Sequence, residues 1–122
     1  MCIRDRAGND HCFSVQASAL RVAWQAVQSA TRAAWSSGSP DDALTNAMPY
    51  MQAFGHTVLA WVWLELALAA GGVRETGRAD AMAGKRHAMH YFYAYELPKV
   101  AAWLAVVQAR DPVCRDMRDA WF

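Results

Sequence analysis

Residues 41–72 read DDALTNAMPYMQAFGHTVLAWVWLELALAAGG, the longest apolar run in the chain. The run predicts a long helix ending near Ala70. Met51, Phe54, Val58, Trp61 and Leu68 fall on one face and Leu59, Val62, Trp63 and Leu66 on another. A helix apolar around most of its circumference is expected to be buried on more than one side. Pro49 interrupts the pattern. It removes one backbone donor and clashes with the carbonyl four residues earlier, that of Thr45. The sequence therefore predicts either a turn with a fresh helix start near Pro49 or a kink there. The window Thr57–Val73 is shorter than the roughly 20 residues that a membrane span needs. Glu65 stands near its middle. A bilayer tolerates a central carboxylate poorly, so the run is read as a buried helix and no membrane span is expected.

Working outward, residues 14–36 predict an amphipathic helix. Leu20, Trp24, Val27, Thr31 and Trp35 recur at helical spacing, with Arg21, Gln25, Gln28 and Arg32 largely off that stripe. Ser36-Ser37-Gly38-Ser39-Pro40 is a loop, and Asp41 or Asp42 is expected to cap the next helix. Gly71-Gly72 is expected to supply a left-handed helix stop, followed by a polar connection over residues 73–80. A third helix is predicted over residues 80–109, kinked at Pro98. Glu96 and Lys99 can pair at i,i+3, Arg110 suits the negative helix end, and Asp111-Pro112 stops the helix. In the tail, residues 113–122, Trp121 and Phe122 read as an aromatic anchor. Short loops force antiparallel neighbours. The expected fold class is all-α: an up-down bundle of three long antiparallel helices with a short C-terminal tail.

With 122 residues the chain has room for one core. A composition of 55% hydrophobic and 19% charged residues argues against disorder. A net charge of +1 gives no electrostatic case for nucleic acid. Cys2, Cys12 and Cys114 form neither a metal-type pair nor a disulfide framework, which fits a reducing, cytoplasmic compartment. The opening MCIRDR has no apolar core and is not a signal peptide. One reading of its codons gives the end of a transposon used in sequencing libraries. Residues 1–6 are therefore expected to be an assembly artefact, and residues 7–122 a single helical domain from the C-terminus of a longer protein.

Motif searches yield no self-contained chemistry. Glu-x-x-His, which di-iron bundles need, is absent, since Glu65, Glu75 and Glu96 are followed three residues on by Leu68, Arg78 and Lys99. His87 and His90 are spaced to share a metal but lack a third ligand, so a helix-surface reading is favoured. Six residues separate Gly77 from Gly84, and Lys85 precedes Arg86, which breaks the phosphate-loop pattern. Ser39 lacks the glycines of a nucleophile elbow, and no GxGxxG occurs. Glu65 shares a face with Trp61 and Leu68 and is expected to be partly buried, paired with a residue such as Lys99 or Tyr95 rather than acting as a base. Glu96 is weighed the same way. No catalytic, cofactor-binding or metal-binding residue is assigned.

Residues 43–70 resemble the pattern A-x-x-YL-x-x-FG-x-x-x-x-x-W through Ala47, Tyr50, Phe54, Gly55 and Trp61, with Met51 in place of leucine. That pattern belongs to the C-terminal extension of a subgroup of acyl-CoA dehydrogenases, the methylmercaptopropionyl-CoA dehydrogenase-like enzymes. YFYAYELPK (residues 91–99) and RDMRDAWF (residues 115–122) resemble later segments of the same extension. The resemblance covers residues 40–122 well; residues 7–36 fit in length and pattern only. It implies a parent enzyme that binds FAD and dehydrogenates an acyl-CoA thioester. A carboxylate base takes the α proton, the flavin takes the β hydride, and a redox partner accepts the electrons. It further implies a homo-oligomer, with the base and the FAD site upstream of this domain. The domain itself would serve packing and assembly against the dehydrogenase core and be inactive alone. The alternative is an independent small helical interaction or dimerisation module; a complete small enzyme lacks the residues it needs.

Overall fold

The first long helix, α1 (Ser14–Ala34), turns its alanines inward rather than its tryptophans. Ala23, Val27, Ala30 and Ala34 are buried, Leu20 and Trp24 are half-buried, and Trp35 is exposed. The computed structural model describes residues 13–71 and 78–122. Residues 1–6, expected to be an artefact, and most of the polar connection after Gly71 lie outside the described residues. Among the described residues every regular element is helical, as the all-α expectation requires.

The stretch around Pro49 forms a turn and a fresh start. A short helix, α2 (Pro40–Leu44), is followed by a turn at residues 45–46 and by α3 (Ala47–Gly71). Pro49 thus sits in the first turn of α3, where a missing N–H costs nothing. The expected aspartate cap is corrected. Ser39 is the N-cap of α2, its Oγ accepting from Asp42 N–H at 3.4 Å, with Pro40 at the first helical position. Gly71 is still helical and does not supply a left-handed stop, and Gly72 lies outside the described residues.

The predicted single helix over residues 80–109 is also corrected. It is divided into α4 (Ala79–Tyr91), a π-helical turn (Phe92–Glu96) and α5 (Lys99–Ala109), so the expected count of three long helices does not hold. Pro98 has no N–H for the ladder, and the chain adapts one turn earlier. Leu97 N–H donates to the carbonyl of Phe92 at 2.9 Å, five residues back. Helix α5 closes with a left-handed Arg110 (φ 53°), whose N–H reaches Val107 O at 3.1 Å. Asp111 N–H reaches Val106 O at 3.4 Å, completing a Schellman-type end before Pro112.

Contacts fix how the elements lie. Near the end of α1, Thr31 Oγ1 and Tyr50 Oη, near the start of α3, lie 2.9 Å apart. Trp24 meets Phe54 edge-on at 5.7 Å. Helix α3 then runs against the third segment in the opposite sense. Buried Asn46 donates to Asp111 O at 3.0 Å, Tyr93 Oη donates to Ala60 O at 2.9 Å, and Arg86 donates to Ala70 O at 3.4 Å. Helix α4 packs chiefly on α3, whereas α5 wedges against both α1 and α3. The core joins Ala23, Val27 and Ala30 of α1, Ala53 and Ala60 of α3, and Phe92, Leu97, Val100, Leu104 and Val107 of the third segment. Small residues on α1 and α3 let the backbones approach closely while Leu, Val and Phe from the third segment fill the space between them.

Candidate functional site

Helix α3 carries two opposed apolar faces. The inward face runs through Ala53, Thr57, Ala60, Leu64, Ala67 and Ala70, all buried. Thr57 satisfies its hydroxyl on Ala53 O at 2.8 Å, so no polar atom on that face is left wanting a partner. The outward face carries Met48, Met51, Leu59, Val62 and Leu66, with exposures running from 72% at Met48 to 39% at Leu66. Phe54 and Trp61 lie beside it, partly exposed. The expectation of burial on more than one side is therefore corrected within this chain: one face is buried and the other meets solvent. The reason is size. Four of the six inner-face residues are alanine, and most of the large side chains lie away from that helix contact.

Glu65 shares this fate. The sequence predicts partial burial and a pairing with Lys99 or Tyr95, and both parts are corrected. Glu65 is exposed, one residue on from buried Leu64. A single step turns the side chain by about 100° around the helix. Lys99 instead binds Glu96, as the i,i+3 spacing predicts, donating to both carboxylate oxygens at 3.0 and 2.9 Å. A partner invisible in the sequence is His56, whose Nε2–H donates to Glu96 Oε2 at 3.1 Å. The ring nitrogen is assigned the proton because an ionised carboxylate can only accept. The His56 ring meets Trp103 edge-on at 4.7 Å and tilts against Phe92 at 5.7 Å. Hydrogen bonds from Lys99 and then His56 hold the Glu96 carboxyl below the usual carboxylate range. The cluster is a clip between α3 and the π turn, in which Glu96 accepts from both His56 and Lys99.

The remaining candidates stay apart. His87 and His90 are both exposed, and His90 Nδ1 lies 3.3 Å from Gln16 Nε2. No group of three metal-ligating side chains forms among the described residues. Ser39 is occupied as a helix cap and Arg86 with the α3 terminus. Tyr93, half-buried, has its hydroxyl on Ala60 O, and burial pushes the phenol up to about 12. The docked anchor predicted from Trp121 and Phe122 is corrected: both project from the chain, Phe122 95% exposed. Arg118 covers one face of Trp121 at 5.4 Å, a cation–π arrangement. The tail is held farther back, where Arg115 pairs with Asp42 and Arg110 lies 3.5 Å from the same carboxylate. Cys114 is free and exposed; Cys2 and Cys12 lie outside the described residues.

Helix α3 is long and apolar enough to cross a membrane by length and composition. At 25 residues it exceeds the shorter window, Thr57–Val73, on which the sequence argument against a span rests. A core helix of a soluble bundle passes the same test, and the inner face of α3 packs on α1, α4 and α5.

No curated protein and no solved structure matches the chain significantly. The family model described as "Acetyl-CoA dehydrogenase C-terminal like" matches residues 3–118, nearly the whole sequence. This all-helical chain is thus a member of the acetyl-CoA dehydrogenase C-terminal like family.

Proposed function

We propose that this chain is the C-terminal helical domain of a cytoplasmic, FAD-dependent acyl-CoA dehydrogenase of the methylmercaptopropionyl-CoA dehydrogenase-like subgroup, and that it serves packing and assembly rather than chemistry. Family membership supports a dehydrogenase parent. The observation that carries the assembly role is the outward apolar face of α3, which no described element of this chain covers. Exposed apolar patches of this extent mark interaction surfaces.

The described residues do not fit a flavin. Gly84 lies inside α4 rather than in a phosphate-cradling loop, and His56 and Lys99 are both bonded to Glu96. No step of the dehydrogenation is therefore assigned to this domain; α-proton removal and hydride transfer belong to the upstream core. The parent would take an acyl-CoA thioester and pass electrons to a redox partner. Helix α3 is assigned to the bundle rather than to a bilayer, on the strength of its packed inner face.

Purified chain is expected to show no visible flavin absorbance and no dehydrogenase activity; a stoichiometric flavin spectrum would overturn the reading. The DNA upstream of Ala7 should continue in frame into a dehydrogenase core. A stop codon followed by a start would instead favour an independent helical interaction module, the second reading that the same exposed face allows.

A further inference from the structure

We infer that the groove between α1 and the third segment is a preformed site for one unbranched aliphatic chain, the tail of a small amphiphile whose polar head stays in solvent. The inference is independent of the assembly role above, since no residue of α3 lines the groove. Its cavity of about 310 Å³ lies at the lower end of the range for small-molecule sites. At about 30 Å³ for each water-sized group, it has room for roughly ten of them.

The shape follows from the residues on either side. Ala19, Val22, Ala23 and Ala26 form one wall, at the spacing of a single helix stripe. That stripe covers two turns, about 10 Å of helix axis. Three of its four residues are alanine, so the wall stands back from what faces it. Opposite, Tyr93 lies in the π turn, Leu97 closes that turn and Pro98 follows, so the segment does not run straight along α1 to fill the gap. Ala23, Leu97 and Val100 are buried and form the floor, whereas Val22, Pro98 and Ala101 are exposed and form the lips. The result is a slot two turns long, open along one side.

The slot is held open from both ends. Gln16 Nε2 lies 3.3 Å from His90 Nδ1, tying α1 to α4, and Gln108 Nε2 donates to Ser29 Oγ at 2.8 Å, tying α1 to α5. Gln16 and Ser29 are about 20 Å apart along α1, and the slot lies between them. Its chemistry selects hydrocarbon. No charged side chain lines it, and the one hydroxyl, that of Tyr93, already donates to Ala60 O at 2.9 Å. A charge or amide buried there would lack a partner. Its length selects an unbranched chain, because a ring or branched group of equal volume is too wide for a single stripe. The polar head is left at an end, beside the amide and hydroxyl groups of the two bridges.

The test is a titration of the full chain with hexanol, heptanol and octanol, read by NMR at the methyl groups of Ala23 and Val100. Both should shift and saturate, and each added methylene should tighten binding roughly fourfold. Cyclohexylethanol, with as many carbons as octanol, should bind severalfold more weakly. Ala101→Phe fills the slot from one lip and should weaken octanol at least about tenfold. Its helical circular-dichroism spectrum should be unchanged, because Ala101 is exposed. Val22→Phe, which fills the slot from the opposite lip, should do the same. Ala102→Phe, exposed and outside the lining, should bind as the parent does. Unmoved methyl groups at Ala23 and Val100, an affinity that does not rise with chain length, or equal binding of cyclohexylethanol would overturn the site. So would octanol binding that survives both lip variants, or that is lost on Leu59→Glu, which would place the alcohol on the outward face of α3.

Discussion

His56 and Glu96, forty residues apart, meet at 3.1 Å across α3 and the π turn, and Lys99 closes the same carboxylate from the other side. Both donors favour the ionised acid, Lys99 first, and so lower its pKa. A lowered carboxyl contributes stability that is fully present above the ordinary carboxylate range. The contribution is lost as the pH falls through the lowered value. Glu96→Gln should therefore melt slightly lower than the parent at neutral pH, and the two curves should converge in acid. The gap is small because the site is open to solvent. Thermal melts across the acid range measure it; a gap that widens in acid would contradict the assignment.

Tyr93 makes the opposite pH statement. Its phenol is pushed from 10.0 up to about 12 by burial, so the folded chain holds the proton more tightly than the unfolded one. Stability is unaffected below 10 and declines as the pH rises from there towards about 12. Tyr93→Phe should lack that alkaline decline. At neutral pH it should cost about 1 kcal/mol for the lost bond to Ala60. Urea unfolding at neutral and alkaline pH reads both effects.

Arg110 occupies a left-handed position that glycine usually fills. Arg110→Gly and Arg110→Ala both lose the 3.5 Å pair with Asp42. Such a contact has little weight at a surface. Only glycine relieves the backbone. The glycine variant should exceed the alanine variant by about 1 kcal/mol, or roughly 4 °C or more in Tm, read from thermal melts of the two side by side.

Asp42 pins the tail. Hydrogen bonds from Ser37 and then Arg115 hold its carboxyl below the usual range, and Arg115 is the contact that reaches back from beyond Pro112. Asp42→Asn should release residues 113–122 and speed tryptic cleavage after Arg115 and Arg118. Asp41→Asn, one residue away, should not. Time-course proteolysis followed by mass spectrometry distinguishes the two.

Helix existence was legible because apolar spacing and loop chemistry agreed over long stretches. Pro49 and Pro98 marked real discontinuities for the same reason, the missing donor. What failed was the expectation that the large apolar residues of α3 are buried on more than one side. Hydrophobicity ranks Trp61, Leu59 and Met51 above Ala53, Ala60 and Ala67. The helices meet too closely for large side chains, so alanine won the interior. That error carried Glu65 inward with Trp61. The His56–Glu96 pair left no local signal, because its partners meet only once α3 and the π turn are set side by side. Nor does the sequence show that Trp121 and Phe122 stand clear of their own bundle.

The π turn has a consequence for the phase of the third segment. One extra residue within a turn shifts every later side chain about 100° around the axis. Met89 is buried before it, Phe92 at its first residue, and Val100, Leu104 and Val107 after it. Before the turn the segment serves α3; after it, the segment serves α1 and α3 together. Removing a single residue from Phe92–Glu96 would swing Val100 and Leu104 away from their seats and bring their neighbours inward. The bundle is thus held in frame by a one-residue surplus, much as a spliced thread keeps its pitch only while the splice has the right length.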